Sequence, residues 1–76
     1  MNIKRRSQLD KIRYAMQDLL TQLEEIRDDE QNALAAMPES FQFGSAGEAM
    51  EDAIGNMEEA INSMESAVEY LEEAAA

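Results

Sequence analysis

The sequence predicts an all-α fold: an antiparallel two-helix coiled-coil hairpin that dimerises into a four-helix bundle. Three observations carry this expectation. Two stretches repeat apolar residues in alternating three- and four-residue steps, a proline-containing break separates them, and one fold-back register aligns both apolar residues and opposite charges.

In the first stretch, Leu9, Ile12, Met16, Leu19, Leu23 and Ile26 fill the a and d positions of a heptad repeat, with Leu9 at a. Pro38 restricts the residue before it to extended backbone and stops this helix near Ala36. The second stretch runs through Met50, Ile54, Met57, Ile61, Met64, Val68 and Leu71, with Ile54 at a. Ser45-Ala46-Gly47-Glu48 reads as a capping box, Ser45 as N-cap and Glu48 reaching back. The expected organisation is one domain over residues 1–76, with helices at about 3–36 and 46–74 and a turn at about 37–44.

Folding back sets a against d of the other helix. Leu9–Leu71, Ile12–Val68, Met16–Met64, Leu19–Ile61, Leu23–Met57 and Ile26–Ile54 then share one residue-number sum of 80. The e positions face each other with a sum of 78, giving the expected ion pairs Arg6–Glu72, Arg13–Glu65 and Arg27–Glu51. Toward the tip Ala33 meets Gly47 and Met37 meets Phe43, while Phe41 and Gln42 cap the turn. Glu30, at an a position, snorkels or leans toward the positive start of the second helix.

Surfaces left over by this zipper are the candidate interaction sites. The g positions of the second helix are Ala53, Ala60, Ala67 and Ala74. Such a strip either lets two helices pack closely or offers a flat bed for another helix. Leu20 and Leu34 occupy e positions that a lone hairpin leaves half exposed, and Phe41 and Phe43 project from the turn. Six methionines make part of the core soft. About twelve seam side chains at roughly 1.5–3 kcal/mol each, incompletely buried, hardly offset roughly 1–2 kcal/mol of backbone entropy per residue, so self-association is expected.

Composition narrows the chemistry. There is no cysteine and no histidine, which removes thiolate and imidazole metal ligands and the commonest general base. No Gly-rich phosphate cradle and no calcium-loop spacing occur, and the glutamate columns read as a solvated face. Catalytic, cofactor and metal residues are therefore expected to be none. The apolar runs are too short for the roughly 20 residues a bilayer demands. No apolar segment follows the basic start at Lys4-Arg5-Arg6, so no signal peptide is expected. The net charge of −11 repels nucleic acid and anionic lipid over most of the surface, so a partner met electrostatically is basic.

The segments Asp29-Glu30-Gln31-Asn32-Ala33, Met37-Pro38-Glu39-Ser40-Phe41-Gln42 and Gly47-Glu48-Ala49-Met50-Glu51 resemble a family of small acidic helical proteins. Members are encoded by bacteriophages and integrated elements, chiefly in Gram-positive bacteria. The likeness spans nearly the whole chain and departs from the pattern at Asp29 and at Ala35-Ala36. It implies a phage or prophage origin, the cytoplasm of a bacterial host, and an accessory role without catalytic residues to carry over. The expected function is a non-catalytic protein-interaction module acting by helix-face docking. The alternatives are an acidic DNA-mimic inhibitor of a nucleic-acid or defence enzyme and a structural subunit of a larger assembly.

Overall fold

A computed structural model describes all 76 residues, Met1–Ala76. It is all-helical, with α1 at Ile3–Ala36, a four-residue α2 at Glu39–Gln42 and α3 at Ser45–Ala75. The long helices α1 and α3 pack against each other as a hairpin. The result is a rod of 58 × 15 × 12 Å. Its radius of gyration is 17.2 Å, against about 11 Å for a compact chain of this length. No helix is long and apolar enough to cross a membrane.

Local chemistry sets the helix ends. Asn2 caps α1, its side-chain oxygen accepting from the Arg5 backbone N–H at 2.8 Å. Nothing in the periodicity pointed to this cap, although an Asn just ahead of a helix start is its usual signal. Met37, held extended ahead of Pro38 at φ −69° and ψ 145°, ends α1. The segment after it, expected as plain turn, winds once as α2. Gln42 then reaches back: its amide nitrogen donates to the carbonyl of Met37 at 2.8 Å and to that of Ala35 at 3.5 Å. Those carbonyls belong to the helix end, where no backbone donor follows.

Three expectations at the tip are corrected. Gly44, not Ser45, is the N-cap of α3, and no side chain caps this end. Ser45 already belongs to the first turn and makes no capping hydrogen bond; the Glu48 N–H bonds the Gly44 carbonyl at 3.0 Å instead. Gly47 is buried, yet its close neighbour is the backbone of Gln42 rather than Ala33, which is exposed. Phe43 is exposed as well and does not close on Met37.

The core is a single file. The five buried residues, Gly47, Ile54, Ile61, Val68 and Ala75, stand seven apart, so one a-position column of α3 is the whole interior. Nothing in α1 is buried to that degree. What α1 turns toward α3 is its half-buried a column, Leu9, Met16, Leu23 and Glu30, together with its e column, Arg13, Leu20, Arg27 and Leu34.

That rotation overturns part of the expected seam. The fold-back register sets the d column of α1 against α3 in the layers Ile12–Val68, Leu19–Ile61 and Ile26–Ile54. Instead Ile12, Leu19 and Ile26 are 51%, 54% and 57% exposed. The apolar arc of α1 runs from d through a to e, about 100° at 100° per residue, and one neighbouring helix cannot cover all of it. Settling over a and e shelters Leu20 and Leu34 and brings Arg13 to the acidic edge of α3. The d column is left in water.

Candidate interaction face

Ion pairing fixes which flank is which. The Arg13 guanidinium donates to the Glu72 carboxylate at 3.2 Å and to Asp10 at 3.2 Å. On the same side, the Gln31 amide donates to Glu58 at 3.3 Å. These contacts join the e and b positions of α1 to the e column of α3. The d and g positions of both helices must then share the opposite flank.

The expected pairs Arg6–Glu72, Arg13–Glu65 and Arg27–Glu51 are not formed. Arg13 takes Glu72, one heptad beyond Glu65, Arg27 turns to its neighbour Asp28 at 2.9 Å, and Arg6 donates to the Met1 carbonyl at 3.4 Å. For Arg13 the reason is side-chain direction. Helical side chains lean toward their own N-terminus, so in an antiparallel pair the head groups meet when both residues sit C-terminal of a common level. Pairing by backbone level misses that offset.

The Arg13 side chain is 19% exposed, with its Nε buried without an acceptor and its guanidinium 4.8 Å from the Tyr14 ring centre. Burial works against its charge; the hydrogen bond to Glu72, with the nearby negative groups, outweighs that and raises its pKa above the ordinary arginine value. Arg13→Glu is expected to lower the melting temperature, and Glu72→Arg to restore part of the loss. Glu65→Arg should restore less, which thermal denaturation of the two double variants checks.

On the opposite flank lie the exposed Ile12, Leu19 and Ile26 of α1 and the half-buried Met57, Met64 and Leu71 of α3. The alanine strip borders them, with Ala53, Ala60 and Ala74 exposed and Ala67 half-buried. The g column of α1 adds Gln8, Ala15, Gln22 and Asp29, a single charge. Glu51, Glu58, Glu65 and Glu72 all stand on the other side. Of the residues singled out in the sequence, the alanines thus belong to the open face. Leu20 and Leu34 do not: they are half-buried against α3 and serve the seam. Phe41 and Phe43 are 59% and 77% exposed at the tip, away from both flanks.

The one concavity is an open groove at the start of α1, lined by Met1, Arg5, Gln8, Leu9, Lys11 and Ile12. Its walls are the first turns of α1 and Met1 just ahead of them, so it continues the open face rather than enclosing a ligand. No group of three or more carboxylates, His or Cys converges in a way that could hold a metal ion. Set against known proteins, the chain matches no family model, no curated protein and no solved structure.

Proposed function

We propose that this chain is a non-catalytic protein–protein interaction module that acts by helix-face docking. It self-associates by its open helix face into a four-helix bundle and docks a host or phage protein through what stays exposed of its alanine strip, through its loop aromatics Phe41 and Phe43, or both. One observation carries the reading: apolar and acidic residues are segregated onto opposite flanks, with Ile12, Leu19 and Ile26 more than half exposed in one straight column. Contiguous exposed apolar surface of this kind marks interaction sites. The resemblance of the turn to phage-encoded helical proteins supports a setting in the cytoplasm of a bacterial host.

The competing reading, an acidic mimic of DNA, draws on the exposed columns of the other flank. Salt separates the two. Between about 0.15 M and about 1 M salt the screening length falls from about 8 Å to about 3 Å. A host protein captured on the immobilised chain should stay bound across that range and be lost with the double variant Phe41→Ser, Phe43→Ser. Release by salt alone, together with sensitivity to charge reversal at Glu51, Glu58, Glu65 and Glu72, would decide for mimicry.

A further inference from the structure

We infer that the open face is closed by a second copy of this chain lying antiparallel across it. The tips of the two copies point to opposite ends, and the two-fold axis passes between the two copies of Leu19. This rests on the self-association in the reading above and adds its surface, direction and centre.

Area favours a second copy as the occupant. The chain exposes 5461 Å², whereas a folded monomer of its mass averages about 4,700 Å². The excess, roughly 800 Å², equals what each partner contributes to a standard-sized interface, about 800 Å².

Symmetry places the axis. A two-fold contact must be self-complementary, each residue meeting its mirror across the centre. Ile12 and Ile26 stand seven residues either side of Leu19, which lies at the middle of α1. An axis there sets Leu19 on Leu19 and Ile12 on Ile26 of the second copy, and overlaps the rods along their length. Folding back near residue 40 brings Ala60 to the level of Leu19, so small side chains meet where α3 crosses its counterpart.

Charge sets the direction. Residues 21–60, the tip half, carry eleven of the seventeen acids and one base, Arg27, for a net −10; the rest of the chain nets −1. With both tips at one end, −10 lies on −10. The opposed arrangement sets each tip half against the nearly neutral half of the other copy.

The chain has no cysteine, so Ser40→Cys places one spin label at each exposed tip without touching the face. Mass action favours the dimer as protein concentration rises, so the measurements are made at high concentration. There, sedimentation should give a dimer and dipolar spectroscopy a label separation of about 60 Å, twice the 21 residues from Leu19 at about 1.5 Å each. Leu19→Glu should return the molecule to monomer with its helicity intact. A dimer with labels within roughly 20 Å, two interhelical spacings, overturns the opposed arrangement and leaves self-association standing. A dimer indifferent to Leu19→Glu overturns the choice of face. A chain that stays monomeric overturns self-association itself and leaves the face to a different protein. The separation is read on an unaltered face, so it decides the direction even if Leu19→Glu unfolds.

Discussion

Ile61→Ala is expected to cost about 2–4 kcal/mol of unfolding free energy, more than any other single truncation in the rod. Ile61 is the most enclosed residue, 4% exposed, at the middle of the a column of α3. Removing its outer carbons leaves a gap in the seam between α1 and α3 where the side chain was almost fully enclosed. Whole domains hold only about 0.05–0.15 kcal/mol per residue in reserve, so a loss of this size is a large share of the total. The contrast is Ile26→Ala, at a residue 57% exposed. In dilute solution it should cost below about 1 kcal/mol, because half of that side chain is already in water and alanine is the better helix former. Urea titrations followed by far-UV circular dichroism compare the two. Equal losses would mean that the d column of α1 lies in the seam after all.

Gly47→Ala is the second large effect, and its sign runs against helix propensity. In the interior of an exposed helix, exchanging glycine for alanine gains about 1 kcal/mol. Gly55 is such a place: a Cβ there meets nothing within 4 Å, and Gly55→Ala should gain about that amount. At Gly47 a Cβ would overlap the Gln42 carbonyl and come within 2.8 Å of the Gln42 Cα. Backbone atoms cannot swing aside as a side-chain end does, so α3 has to move off α2. Forced overpacking of this kind costs about 1–3 kcal/mol. Thermal unfolding of the two variants should therefore shift in opposite directions. A stabilised Gly47→Ala would show that α2 is loosely held.

The sequence carried the hairpin because its signals are local. Pro38 ends a helix by sterics alone, and Ile54, Ile61 and Val68 mark their column by spacing alone. The rotation of α1 was not legible in the same way. Its apolar residues flank the a column on both sides, Ile12, Leu19 and Ile26 on one and Leu20 and Leu34 on the other, so a heptad count cannot say which side the neighbour takes. Ion partners depended on the lean of side chains, which residue numbers omit. At the turn, Gly44 and Ser45 both make acceptable caps, and one residue of chain path decides between them. The alanine strip was visible as composition. Its place beside the exposed column appeared only once α1 had been turned.

The unequal charge of the two halves has an electrical consequence. In physiological salt a charge is felt over about 8 Å, while the molecule is 58 Å long. Neither extremity therefore senses the other, and an ion drifting up to this molecule meets one of two separate electrodes, the first strongly negative and the second almost silent. A cationic surface is drawn to the end with the bend and swung into line before any contact is made.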